Sequence, residues 1–228
     1  MRVGVLGTGT VGRAITARLA ELGHEVVVGT RDVTATMART EPDGRGNPPF
    51  ATWAEEHPQV RVGSFADAAA AGELIVNTTS GAGSLPSLTA AGEHNLAGKV
   101  LLDVANPLDF SAGMPPTLFV KDTDSLGEQI QRAFPQAKVV KALNTMNALV
   151  MVHPDRVPGD HSVFLSGDDS DAKQTVTDLL RGFGWSADNI VDLGGIRSAR
   201  GVEMYLPLWL SLRQALGTGD FNVHVVRA

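Results

Sequence analysis

Residues 3–31 read VGVLGTGTVGRAITARLAELGHEVVVGTR, and this stretch decides the fold. Val3 to Leu6 is the short apolar run of a strand buried on both faces. Val11, Ile15, Leu19 and Leu22 then recur at helical spacing until Gly23 supplies a stop. Glu25 to Val28 is a second β-rich run. Strand, helix and strand within about thirty residues make the βαβ unit of a parallel sheet, closed by a right-handed crossover. Between the first strand and the helix stands Gly7-Thr8-Gly9-Thr10-Val11-Gly12, a G-x-G-x-x-G match in the context that gives the motif meaning. Gly7 permits the tight turn, Gly9 lets a pyrophosphate approach the backbone, and Gly12 lets the helix pack close to the strand. The helix start offers free N–H groups and a partial positive charge to phosphates, so the stretch predicts a dinucleotide site.

Outward from this unit the alternation continues. Strands are expected at Val60–Val62, Leu74–Asn77, Val100–Val104 and Val139–Leu143, with helical or loop segments between them. The fold class is therefore α/β, a doubly wound parallel Rossmann sheet with a small C-terminal α/β annex. Residues 1–146 form the nucleotide-binding domain. Residues 147–228 form the annex, with a helix near Ala148, a strand at Val163–Leu165, a helix over Ala172–Phe183 and a strand at Ile190–Leu193. A final helix over Ser198–Leu216 is apolar nearly all round, which suits burial against the sheet and a second subunit, with a kink at Pro207. The proline- and glycine-rich stretch Glu41–Phe50 reads as a surface loop inside the nucleotide domain.

Composition narrows the chemistry. The chain has 228 residues, 43% of them apolar and 19% charged, enough for one large core. No cysteine is present, which removes thiol nucleophiles, thiolate zinc sites and iron–sulfur clusters, so redox chemistry needs a bound cofactor. The formal charge of -6 gives no general attraction to nucleic acid or to an anionic membrane. With no long apolar run and a strand beginning at Arg2, a cytoplasmic protein is expected. The six histidines show no metal-ligand spacing, and no metal is expected.

The choice between NAD and NADP falls at the end of the second strand, where an acid about twenty residues after the motif takes the ribose 2′-hydroxyl in NAD enzymes. Here the chain reads Val28-Gly29-Thr30-Arg31-Asp32: Thr30 gives a hydroxyl and Arg31 a planar cation suited to a phosphate. NADP(H) is favoured, and Asp32 is read as the N-cap of the next helix.

With those residues in place, the chain resembles the coenzyme F420-dependent NADP oxidoreductase family, whose reductase domain is also related to that of the membrane STEAP ferric reductases. The resemblance rests on Gly7–Gly12, on Gly23–Arg31, on Val139-Val140-Lys141-Ala142-Leu143-Asn144-Thr145, on Gly167-Asp168-Asp169 with Ala172-Lys173, and on Ser198-Ala199-Arg200 leading to Glu203. It implies NADP(H) as cofactor, F420 as co-substrate, a homodimer, and direct hydride transfer in a cleft between the two domains. Thr8, Thr10 and Val11 would join the glycines around the pyrophosphate, and Thr30 with Arg31 would take the 2′-phosphate. Thr78 and Thr79 would border the nicotinamide, Ala148 would offer backbone to its carboxamide, and Asn144, Thr145 and Met146 would line the acceptor pocket. Asn106 borders the cofactor or simply ends its strand. The chain departs from the family in lacking a basic residue one turn after Arg31, in a long 41–59 segment, and in the small residues Thr78-Thr79-Ser80-Gly81 beside the nicotinamide. The alternatives are an NADPH reductase of another small-molecule acceptor, such as a free flavin, quinone, imine or ketone, and a non-catalytic NADP(H) sensor.

Overall fold

The computed structural model describes residues 1–44 and 46–227. The apolar runs become strands β1 (Arg2–Leu6), β2 (Glu25–Thr30), β3 (Arg61–Ser64), β4 (Leu74–Asn77), β5 (Val100–Asp103), β6 (Leu108–Asp109), β7 (Thr117–Leu118), β8 (Lys138–Ala142), β9 (Val163–Gly167) and β10 (Ile190–Asp192). The main sheet has the order β10-β9-β8-β5-β4-β1-β2-β3, and β6 pairs with β7 in a separate antiparallel hairpin. From β8 to β3 every pairing is parallel, as expected for a doubly wound sheet. The strands beyond residue 146 add to the edge of this same sheet, with β9 antiparallel to β8 and β10 parallel to β9.

The helices in chain order are α1 (Thr10–Glu21), α2 (Val33–Met37), α3 (Phe50–Glu55), α4 (Phe65–Ala71), α5 (Gly81–Ala91), α6 (Glu93–Leu96), α7 (Leu126–Ala133), α8 (Ala148–Val152), α9 (Ser170–Phe183), α10 (Ala199–Met204) and α11 (Leu206–Leu216). One core packs Ile15 and Leu19 of α1, Trp53 of α3, Val150 of α8 and Leu180 of α9 against Val3 and Val5. A second packs Phe65, Leu88, Leu96 and Ile130, from α4 to α7, with Ala199 of α10 against Leu6. Neighbouring residues of β1 thus feed opposite cores, and this two-sided burial is why the strands read as continuous apolar runs.

Two elements differ from expectation. The expected Ser198–Leu216 helix is broken at Tyr205, and Pro207 lies in the first turn of α11 rather than inside one kinked helix. In the first turn a missing N–H leaves no helical bond unmade, so proline begins a helix there more readily than it bends one. The Glu41–Phe50 loop ends on α3, which starts at Phe50 itself; Arg45, inside that loop, lies outside the described residues. Among the described residues no helix is long and apolar enough to cross a membrane.

Candidate functional site

Strand ends β1, β4, β5 and β8 meet at one edge of the sheet, where the strand order reverses on either side of β1, and ligands of open α/β folds bind in that crevice. The glycine loop forms one wall. Gly7 has φ +123°, a left-handed backbone that favours glycine, and a Cβ on Gly12 would lie 2.1 Å from the Gly7 carbonyl oxygen. Gly9 is different: a Cβ there would meet nothing within 4 Å. Its space opens in front of α1, which has no side-chain cap and no acid in its first turn. The half-buried Thr8, Thr10 and Val11 flank this opening. The arrangement leaves the positive end of a twelve-residue helix, with no side-chain cap, facing open space.

The expected site residues fall into three groups. Arg31 is exposed beside the end of β2, and Asp32 caps α2 by accepting from Ala35 N at 2.9 Å, as read from the sequence. Thr30 is 6% exposed, and its hydroxyl pairs with that of Thr36 at 2.7 Å, so it faces inward. Thr78 and Thr79 are half-buried and anchored: the Thr78 hydroxyl donates to Leu6 O at 2.9 Å, and that of Thr79 to Asn77 Oδ1 at 2.7 Å. The third group is Asn106, Asn144, Thr145, Met146 and Ala148. Asn106 Nδ2 donates to Asn144 O at 2.8 Å, while Asn144 Nδ2 donates to Asn106 Oδ1 at 2.9 Å and to Val202 O at 3.1 Å. This reciprocal pair ties the loops after β5 and β8 together. Asn144, Thr145 and Met146 are buried, and Leu143 before them has φ +63°, a conformation rare for a bulky residue. Ala148 opens α8 behind the cap Asn147, whose Oδ1 accepts from Leu149 N and Val150 N.

Beneath this pair lies a charged cluster to which the sequence reading assigned no role. Lys141 is fully buried, and its ammonium donates to Asp103 Oδ2 at 2.7 Å, Glu203 Oε1 at 2.8 Å and Ala105 O. The three donors of an ammonium are thereby all used. Asp103 Oδ1 accepts from Asn77 Nδ2 at 2.8 Å, and Glu203 accepts from Leu126 N and Gly127 N, the first two residues of α7. Burial alone would push the lysine down, but the attraction of Asp103 and then of Glu203 outweighs it, and Lys141 sits above its ordinary range. The sequence signal was a polar residue inside or closing an apolar strand: LIVN, VLLD and KVVKA.

Residues 2–107 match the family model described as NADP oxidoreductase, coenzyme F420-dependent. A solved structure from Arthrobacter sp. FB24, provisionally named an F420-dependent NADP-reductase, is 59% identical, covers 99% of each chain and superposes with a TM-score of 0.94. The chain belongs to the F420-dependent NADP oxidoreductase family. It is thus a member of an oxidoreductase family that uses NADP and coenzyme F420. F420-dependent NADP reductase of Methanothermobacter marburgensis is 26% identical over 218 residues, 93% of this chain and 92% of that one. Rat metalloreductase STEAP3 is 29% identical over 212 residues, 91% of this chain, and the chain spans 38% of the length of that relative.

Proposed function

We propose that this chain exchanges a hydride between NADP(H) and the deazaflavin coenzyme F420. The observation that carries the reading is the open anion cradle at Gly9, in front of an uncapped helix, in a chain of this family. When bound, the two cofactors supply the redox chemistry themselves. The protein supplies position. Backbone N–H groups around Thr8, Thr10 and Val11, between Gly7, Gly9 and Gly12, hold the pyrophosphate, and Arg31 gives charge to the 2′-phosphate. Thr78, Thr79, Asn106 and Ala148 border the nicotinamide half. Asn144, Thr145 and Met146 form the floor of the acceptor pocket, and Asn144 acts there by holding Asn106 in place, because its amide is engaged inside the fold. Residues 1–146 are read as the NADP-binding part and residues 147–228 as the part that completes the acceptor cleft and carries a homodimer contact.

The test is NADPH oxidation with F420, FAD, FMN and a quinone offered separately. F420 should be reduced fastest, and deuterium from the transferred position of NADPH should appear on the deazaflavin rather than in solvent. The second reading is a different acceptor, a free flavin, quinone, imine or ketone. The small side chains of Thr78 to Gly81 favour it, since they leave the nicotinamide side of the cleft less filled. A preparation that binds NADPH, reduces one of these and leaves F420 untouched would establish that second reading.

A further inference from the structure

On the NADP(H) reading, the 2′-phosphate meets one cation, Arg31. Thr30 faces inward to Thr36, Asp32 caps α2, and the turn after Arg31 carries Val33, Thr34 and Ala35. A dianionic phosphate held by a single exposed arginine is weakly bound, because its charge is screened by solvent. Helix α2 is only five residues long, and beyond its end Arg39 returns to line a cavity of about 640 Å³ whose opposite wall is Thr8, Gly9 and Arg13 of the glycine loop and α1.

This cavity has a built far side. The Arg13 guanidinium donates from Nε to Thr8 O at 3.0 Å and from Nη1 to Pro48 O at 2.7 Å, and lies 5.4 Å over the Phe50 ring. Asn47 Nδ2 donates to the Thr10 hydroxyl at 2.7 Å. Segment 47–50 is therefore fastened to the glycine loop by side chains at both of its ends, and the long insertion forms a wall of the nucleotide site. Arg13 is committed to two carbonyls. Arg39 is exposed, and among the described residues no hydrogen bond or ion pair engages it. Two carboxylates also border the cavity. Asp43 accepts from Asn47 N and Nδ2 and so holds the loop, while Glu41 brings a negative charge to the same rim.

We propose that Arg39 is a specificity-determining residue, the second cation for a phosphomonoester on the adenosine 2′-position, presented from beyond the end of α2. The proposal rests on the NADP(H) reading above. It replaces the basic residue missing one turn after Arg31 by one delivered from beyond the end of the helix.

The experiment is a calorimetric titration with two probe pairs that differ only in the 2′-phosphate: adenosine 2′,5′-bisphosphate against 5′-AMP, and NADPH against NADH. In Arg39→Ala the affinity for the two 2′-phosphorylated probes should fall about ten- to a hundredfold, the range of one charge-assisted hydrogen bond, with 5′-AMP and NADH within about twofold of wild type. Arg39→Lys should recover part of the loss, and Glu41→Gln should tighten the 2′-phosphorylated probes alone. Arg39 is exposed, so the melting temperature serves as a control that the variants are folded. Equal losses within each pair would put Arg39 on the pyrophosphate and overturn the proposal. So would an unchanged Arg39→Ala beside an Arg31→Ala that loses all discrimination, an outcome that leaves the NADP(H) reading intact. A wild type that does not distinguish the members of either pair would overturn the NADP(H) reading itself, and the proposal with it.

Discussion

At the scale of single residues, Gly9 and Gly12 of the glycine loop stand in opposite surroundings. Gly12→Ala drives a Cβ to 2.1 Å from a backbone oxygen that cannot move without displacing the turn, so it should destabilise the fold by about 1–3 kcal/mol, read as a lowered melting temperature. Gly9 has φ -76° and open space, so Gly9→Ala should melt like wild type yet bind NADPH at least about tenfold more weakly in a titration, because the methyl group occupies the cradle. If Gly9→Ala binds normally, the phosphate does not lie over Gly9. Lys141 gives the second residue-scale prediction. Lys141→Met leaves two buried carboxylates facing each other without their cation, a loss of about 3–5 kcal/mol in denaturant unfolding at neutral pH. The deficit should shrink on acidification, since proton uptake is the remaining way to neutralise the stranded charge. In the wild type the sign is opposite: a lysine raised above its unfolded value contributes stability that is fully present below about pH 10.5 and lost only as pH rises through the higher folded value. Equilibrium unfolding at neutral and mildly acidic pH reads the variant's deficit, and curves taken above about pH 10.5 read the loss in the wild type. The motif already assigned close packing to Gly12 and phosphate approach to Gly9; the distances around them, and the buried partners of Lys141, came only from the fold.

At the scale of elements, charged side chains join α7 to α10. Glu203 receives the first two N–H groups of α7, and Arg200 Nη2 and Nε grip Glu128 at 2.6 and 2.8 Å. The hydrogen bond from Arg200 holds the Glu128 carboxyl below its ordinary range against the opposing effect of burial, with Ser125 adding to it. Asp124, just before the helix, is held at about 2 mainly by Arg132. Both are carboxylates with depressed folded values, so their stabilisation is present above the ordinary carboxylate range and is lost as pH falls through the folded values. The joint should therefore loosen between about pH 4.5 and 2. Arg200→Ala should lower stability at pH 7, with a difference from wild type that fades toward pH 2.5; urea unfolding at the two pH values measures it. A difference independent of pH would mean that Arg200 acts through packing alone. Sequence periodicity located the strands of the main sheet and helices α1 and α9, since each carries its own repeat, but it placed no element at α5, α7 or the β6–β7 hairpin. It missed the capping box of Ser64 and Asp67 that starts α4, and it joined α10 to α11. Both turn on the state of a few backbone N–H groups, which an apolar repeat does not report.

For the whole molecule, α11 leaves Leu208 and Leu216 55% and 56% exposed, an apolar face on a helix of which only Leu206 is buried. Light scattering at micromolar concentration should report twice the 24.0 kDa chain mass, and Leu208→Asp should shift the particle to one chain with little change in NADPH affinity. A single-chain mass for the wild type would mean that this face has no partner of its own kind. The sequence by itself determined the doubly wound sheet and the place of the glycine turn between its first strand and first helix, because these follow from local patterns: short apolar runs, a 3.6-residue helical repeat, and three glycines at a fixed spacing between them. Tertiary structure alone decided which distant groups meet. Asp103, Lys141 and Glu203 are harmless polar residues until parallel pairing aligns β5 with β8 and α10 crosses their ends. Arg39 is one exposed arginine among many until a five-residue helix turns it back toward Gly9. Such contacts are fixed by packing between elements remote in the chain, where the strength of a charge depends on the burial around it, and that burial is a property of the folded whole.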